Sequence, residues 1–381
     1  MIIKTQKELA DICEKLAKNQ YLAIDTEFLR DKTYYPRLCL VQLAGPGVEA
    51  CALDPVETDL DWAPFYELMA NENVIKVFHA ARQDLEIFFN EAGVLPTPIF
   101  DTQIAAMVCG FGDQVAYNAL VKELTGHHIE KNAQFTDWAQ RPLSEKQMTY
   151  ALNDVIYLQD VYEKIKDRLE EQNRTHWVFE ETGVLTNPDL YKNDPDKAWE
   201  RIKIRSDKPE VLMILKTLAA WREREAQKRN IPKGRILKDE TLADLALYKP
   251  STPDSLKRIR SLPKDLAGGK RGDEILKVVK EARNSSPDTW PQRPFADPLP
   301  KTLQPALEML KMLLKINCAE NDVAPKIVAS AAELDQFVRG KETDGLPFLT
   351  GWRYDVFGKD AQDMLEGKIG LKLEKGRIVK T

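Results

Sequence analysis

Apolar positions along the first 170 residues follow two rhythms. Tyr21-Leu22-Ala23-Ile24 is a largely apolar run, and Val74-Ile75-Lys76-Val77-Phe78 is another; each reads as a buried strand. From His79 to Phe89 the spacing becomes helical, with Leu85, Phe88 and Phe89 on one side. Between Pro142 and Leu158, Met148, Leu152, Val155 and Ile156 recur at helical spacing. Ser144 with Gln147 three residues on is a capping-box signature for the start of that helix.

Beyond residue 187 the pattern changes twice. Asn187 to Pro209 is polar and contains Asn193-Asp194-Pro195-Asp196, which reads as a turn-rich linker. Asn284 to Pro305 carries Pro287, Pro291, Pro294, Pro298, Pro300 and Pro305, a density that excludes regular helix and reads as a semi-rigid spacer. Between these stretches lie amphipathic segments. Leu212 to Arg229 has apolar residues at Leu212, Leu215, Leu218 and Ala219, and shorter helices are predicted over Thr241 to Tyr248, Pro253 to Ile259 and Asp273 to Ala282. They predict a small all-α bundle of independent size. Residues 301–381 also read as mainly helical.

The chain has 381 residues, enough for two or three domains, and 43% hydrophobic residues, ordinary for a soluble protein with several cores. No apolar run approaches the roughly 20 residues of a membrane span. The stretch from Met1 to Lys7 lacks a signal peptide's apolar core, so a cytoplasmic protein is expected. Cys13, Cys39, Cys51, Cys109 and Cys318 are odd in number, scattered and without a C-x-x-C pair; they read as small buried residues in a reducing compartment. His79, His127, His128 and His176 show no zinc spacing with cysteine. The net charge of −5 conceals an asymmetry. Residues 1–200 hold 19 Lys and Arg against 34 Asp and Glu, a net −15; residues 201–283 hold 22 against 12, a net +10. A basic region beside an acidic one suggests a grip on phosphate backbones, with a plain solvated helix surface as the alternative.

The candidate chemistry lies in the acidic part. Asp25 and Glu27 stand at the end of the first apolar run, and strand alternation puts them on one face. Like charges side by side are unfavourable, and a divalent cation reverses that sign because hard cations take oxygen ligands. Asp84 falls in the first turn of the helix after the second strand. Tyr150 and Asp154 are four apart and share a helix face. Taken singly, the strand pair reads more simply as a solvated strand end, and the helix pair as a solvated face.

Taken together the segments carry more. Asp25-Thr26-Glu27, then Phe78-His79-Ala80-Ala81-Arg82-Gln83-Asp84, then Asp137-Trp138 through Arg141-Pro142-Leu143-Ser144 to Tyr150 and Asp154, resemble in order and spacing the three motifs of the DEDD exonuclease superfamily. The tyrosine places the resemblance in that superfamily's tyrosine subgroup, close to the bacterial ribonuclease D family. Asp101-Thr102-Gln103 fits a further segment of that family. Trp221 to Ala226, Ile231-Pro232 and Asp239 to Ala246 resemble the helicase-and-RNase-D C-terminal (HRDC) domain, and Leu349-Thr350-Gly351-Trp352-Arg353 more weakly resembles its degenerate second copy.

The resemblance implies an α/β N-terminal domain, a ribonuclease H-like mixed sheet flanked by helices, followed by two all-α HRDC-like bundles. The domains are expected at 1–200 (exonuclease, including linker), 208–288 (HRDC) and 300–381 (second, degenerate HRDC-like). It implies 3′→5′ hydrolysis of RNA by two divalent ions, Mg²⁺ or Mn²⁺, with release of nucleoside 5′-monophosphates. Asp25, Glu27, Asp84 and Asp154 are the expected metal ligands: Asp25 bridging both ions, Glu27 and Asp154 on the ion that activates water, Asp84 on the leaving-group side. Tyr150 is expected to orient the attacking water, since a free tyrosine pKa near 10 suits an orienter better than a base. Phe28 is a candidate for stacking on a terminal base, with a core phenylalanine as the alternative. Gln103 is a candidate for a sugar contact, with helix packing as its alternative. Trp138 and Arg141 read as braces for the third motif's helix. The expected partner is RNA, tRNA precursors and other small structured RNAs with free 3′ ends, with no membrane and a monomeric chain. The rival readings are a DNA 3′→5′ exonuclease, a non-catalytic RNA-binding protein on the same fold, and a helicase fragment. No polymerase domain follows the exonuclease motifs, the four carboxylates are intact, and the chain has no G-x-x-x-x-G-K-[ST] loop.

Overall fold

A strand buried at nearly every position needs cover on both faces, and β3 (Arg37–Gly45) is such a strand. It lies inside a six-stranded sheet with β1 (Ile2–Ile3), β2 (Tyr21–Leu29), β4 (Val48–Leu53), β5 (Ile75–Phe78) and β6 (Ile99–Asp101), in the order β1-β4-β3-β2-β5-β6. The β1/β4, β2/β5 and β5/β6 pairs are parallel and β3/β4 is antiparallel, so the sheet is mixed, as expected. This computed structural model describes residues 1–129, 136–292, 298–340 and 343–381; Pro294 of the proline-rich stretch lies outside them.

Among the described residues, seven helices accompany the sheet in sequence: α1 (Gln6–Leu16), α2 (Ala63–Ala70), α3 (Arg82–Ala92), α4 (Thr102–Val108), α5 (Tyr117–Thr125), α6 (Glu145–Glu171) and α7 (Thr175–Gly183). The helix after the second strand begins at Arg82, three residues later than its apolar spacing suggested. The reason is local. Ala80 adopts a left-handed φ of 60°, which no helix continues, and the Asp101 carboxylate takes the Ala80 and Ala81 N–H groups, both at 2.9 Å. At α6 the Ser144–Gln147 capping box forms on both sides. The buried stripe of α6 is Ala151, Val155, Leu158, Tyr162, Ile165 and Leu169, a continuous three- and four-residue repeat. Ile156, which the sequence placed with the apolar set, lies off that stripe and is 40% exposed.

The described chain divides into two compact units. The first comprises Met1–Glu27, Leu38–Pro188 and Asp297–Thr381. Its core takes in Val77, Phe100 and Val155 as well as Leu310, Phe348 and Phe357 from the C-terminal part. In this unit Trp177 stacks on Trp352 with ring centroids 4.4 Å apart, and Arg353 pairs with Glu181. The C-terminal part is helical to Leu365 and then ends in a hairpin, Leu371–Glu374 with Arg377–Lys380. The hairpin was not anticipated, although Lys375-Gly376 between two apolar-polar runs is its signal: both residues have positive φ, 48° and 82°, the geometry of a two-residue hairpin turn.

The second unit comprises Phe28–Arg37 and Asp189–Ala296. Its helices are α8 (Pro209–Arg229), α9 (Lys233–Ile236), α10 (Asp239–Tyr248), α11 (Pro253–Lys257) and α12 (Gly269–Asn284), and α8 packs against α9, α10 and α12. Leu212, Leu215, Leu218 and Ala219 are all fully buried, as their spacing required. The polar stretch before Pro209 is more than a linker: Trp199 and Ile202 are core residues of this unit. The Phe28–Arg37 segment is held on α8. Asn230 Oδ1 accepts the Tyr34 and Tyr35 N–H groups at 3.1 Å each, and the Tyr34 hydroxyl donates to Glu223 at 2.5 Å. All five cysteines are buried and outside any disulfide, matching their reading as small core residues.

Candidate active site

β2 delivers the first two carboxylates because its apolar half, Tyr21 to Ile24, is fully covered and its polar half is not. Asp25 and Glu27 then share a face. α6 delivers the next pair, Tyr150 and Asp154, one turn apart; Asp154 is buried and Tyr150 half-buried. Carboxylate oxygens of Asp25, Glu27 and Asp154 all lie within 4.8 Å of one another. That is about the 4–5 Å that separates two oxygens across a hard cation with bonds of about 2.0–2.6 Å.

Asp84 is buried in the first turn of α3, where the helix dipole favours a negative charge. One of its oxygens accepts the buried Thr26 hydroxyl. Residues that alternate along β2 thus serve different partners: Asp25 and Glu27 on one face, Thr26 reaching Asp84.

The electrostatics suit a bound cation. Burial raises Asp25 to about 6. Burial and then the charges of Asp25, Asp154 and Asp84 push Glu27 up to about 10. Asp154 rises to about 8 through burial and Asp25, against the lowering effect of its hydrogen bond with Tyr150. Asp84 is held well above the usual carboxylate range, by burial first and Asp25 second. All these shifts disfavour the charged forms, and bound positive charge is the direct way to offset them. Oxygen donors alone, with no thiolate or imidazole among the clustered ligands, suit Mg²⁺ or Mn²⁺.

Supporting contacts fix these groups. Tyr117, at the start of α5, donates its hydroxyl to the backbone carbonyl of Asp154, and its ring packs on His79 at 5.1 Å. His79 in turn contacts the Thr102 hydroxyl at 3.0 Å. Arg141 donates to the buried Asp54 carboxylate and to the carbonyls of Cys39, Trp138 and Gln140, tying the lead-in of α6 to the sheet. Trp138 is buried beside Tyr150, with centroids 6.2 Å apart. Gln103 lies in the first turn of α4 and its Nε2 donates to the Val115 carbonyl at 3.2 Å. Phe28 follows Glu27 in β2, is half-buried and falls in the second unit.

Thr26, Tyr117 and Asp54 escaped the sequence reading. Asp54 had a signal of the same kind as Asp25, an acid closing an apolar strand. Nothing in the sequence ties Tyr117 to a carbonyl 37 residues away.

The chain resembles known proteins over nearly its whole length. Residues 1–170 match the family model described as 3′-5′ exonuclease, and residues 211–279 match the HRDC domain model. The chain is 46% identical over 382 residues to a ribonuclease D of Jannaschia sp., covering 99% of this chain and 98% of that protein. It is 44% identical over 363 residues to a ribonuclease D of Bartonella henselae, covering 95% and 89%. The crystal structure of Escherichia coli RNase D, described as an exoribonuclease involved in structured RNA processing, superposes with a TM-score of 0.82 at 28% identity, covering 96% and 98%. With such similarity over nearly its whole length, the chain belongs to the ribonuclease D family and is a 3′→5′ exoribonuclease.

Proposed function

We propose that the chain removes nucleotides one at a time from the 3′ end of RNA by a two-ion mechanism, releasing nucleoside 5′-monophosphates. The observation that carries this reading is the convergence of Asp25, Glu27 and Asp154 within 4.8 Å, with Tyr150 hydrogen-bonded to Asp154. Asp25, at the centre, would contact both ions; Glu27 and Asp154 would complete one site and Asp84 the other. Two divalent ions, when bound, supply a nucleophile at neutral pH and stabilise the attacking and leaving oxygens.

The chain's own residues do the positioning. Burial and the neighbouring carboxylates push the Tyr150 hydroxyl above its ordinary range, so it keeps its proton at neutral pH. It therefore works as a hydrogen-bond partner that orients water, not as a base. Thr26 holds one Asp84 oxygen and directs the other. Gln103, fixed at its Nε2 by Val115, would offer Oε1 to the terminal sugar, and Phe28 its ring to a base.

In this reading the chain works as three parts, 1–200, 208–288 and 300–381. The basic part, at +10, holds the RNA backbone while the acidic part cuts. The substrates are tRNA precursors and other small structured RNAs with 3′ trailers, acted on by a cytoplasmic monomer. Among the described residues no helix is long and apolar enough to cross a membrane. The test is digestion of a 3′-extended tRNA with and without chelator. The expected result is chelator-sensitive trimming with 5′-monophosphates as product. Trimming that survives chelation, or 3′-monophosphate products, would overturn the mechanism.

A further inference from the structure

The second unit contains a cleft of about 670 Å³ at the start of α8 and along α12, within the usual size for a small-ligand site. Lys277, Lys280 and Arg283 line it. They are spaced by three along α12, form one stripe and are all exposed. Glu210 is the one acidic residue among those lining the cleft, and its charge is met by Lys249 and by Arg283 at 3.8 Å. Lys277 has Glu281 3.8 Å away, but both side chains are largely exposed and such a pair is weak. The cleft therefore presents net positive charge. Its floor is different: Pro250 and Val279 are buried and Leu276 partly so.

A rim of cations over an apolar floor matches a nucleotide, phosphate outside and base inside. Phosphate alone, or an acidic peptide, would use the rim and have no need of the floor. We infer that this cleft holds one nucleotide of the RNA strand, with its phosphate on Lys277, Lys280 and Arg283 and its base on Leu276 and Val279. The assignment rests on the proposed RNA grip by the basic part and names where that grip is made.

The test uses the full chain silenced by Asp25→Asn and a tRNA-sized RNA, with affinity followed across a salt series. Lys277→Ala/Lys280→Ala strips two of the three cations from that phosphate, so binding weakens and the salt slope falls by up to about 0.7. Ser251→Trp, or the milder Ser251→Gln, plugs the cleft without changing charge, so binding weakens at an unchanged slope. Wild-type affinity in both variants would overturn the assignment. So would equal loss of a polyglutamate peptide in the lysine variant combined with full RNA binding by the plugged one, which marks an unspecific anion surface. Cleavage of a five-nucleotide RNA separates the two readings. If the unsubstituted chain itself does not cut that RNA, the exonuclease mechanism fails, while the binding series still decides the cleft.

Discussion

Arg141 meets Asp54 through two short contacts, Nε to Oδ2 at 2.6 Å and Nη2 to Oδ1 at 2.5 Å. Asp54 is fully buried and the Arg141 side chain only 13% exposed. The Asp54 Oδ1 also accepts the Val56 and Glu57 N–H groups, at 3.0 and 3.1 Å. The end of β4 and the lead-in to α6, 87 residues apart, are thereby fastened together. α6 carries Tyr150 and Asp154, so the pair sets where half of the site begins.

Asp54→Ala should leave the Arg141 guanidinium buried without its carboxylate. Breaking one side of such a pair costs about 3–5 kcal/mol, against under 1 for an exposed pair. The expected result is a urea midpoint well below wild type. A shift too small to resolve would mean that Arg141 relaxes to solvent and the fastening is weak.

Asp25→Asn keeps the size of the side chain and removes its charge from the centre of the cluster. The rate on RNA should fall at least about a hundredfold, the scale of lost transition-state charge stabilisation. RNA affinity should be largely kept. Turnover near wild type would remove Asp25 from the proposed ligand set.

Tyr150→Phe deletes only a hydroxyl. An orienting group of this kind is worth roughly ten- to a thousandfold, and the kinetic loss should appear with little change in melting temperature. A full-rate Tyr150→Phe enzyme would reduce the tyrosine to packing against Trp138.

Lys76 gives a pH signature. It is buried on β5, and its Nζ donates to the carbonyls of Asn71 and Thr97. Burial lowers its pKa from 10.5 to about 8. Between those values the unfolded chain holds a proton that the folded chain lacks, so this group adds stability as pH rises through the window. The melting temperature of wild type relative to Lys76→Met should therefore climb between about pH 8 and 10.5. A difference that stays flat across the window would show that Lys76 remains charged in the fold.

The candidate site's carboxylates were legible because they stand on regular elements whose spacing shows in the sequence. Asp25 follows the apolar half of a strand, and Tyr150 and Asp154 sit a turn apart in a helix that announces its start with Ser144 and Gln147. What stayed hidden has a common physical cause. Tyr117 on the Asp154 carbonyl, Asp54 on Arg141 and Thr26 on Asp84 are contacts between distant segments, and local spacing carries no information about them. The start of α3 was misplaced for a similar reason, since Asp101 in β6 decides the conformation of Ala80. In the second unit, helix periodicity found Leu212 and Leu218, whereas Trp199 and Ile202 lay in a stretch too polar to look like core.

Direction of attack tests the central claim most directly. RNA labelled at its 5′ end and carrying a 3′-hydroxyl should give a descending ladder in the presence of Mg²⁺, with no ladder from the Asp25→Asn chain. The same RNA with a 3′-phosphate should be poorly used, because the added charge meets the carboxylates where the terminal nucleotide must fit. Immediate release of a labelled mononucleotide, or equal use of both 3′ ends, would contradict the account.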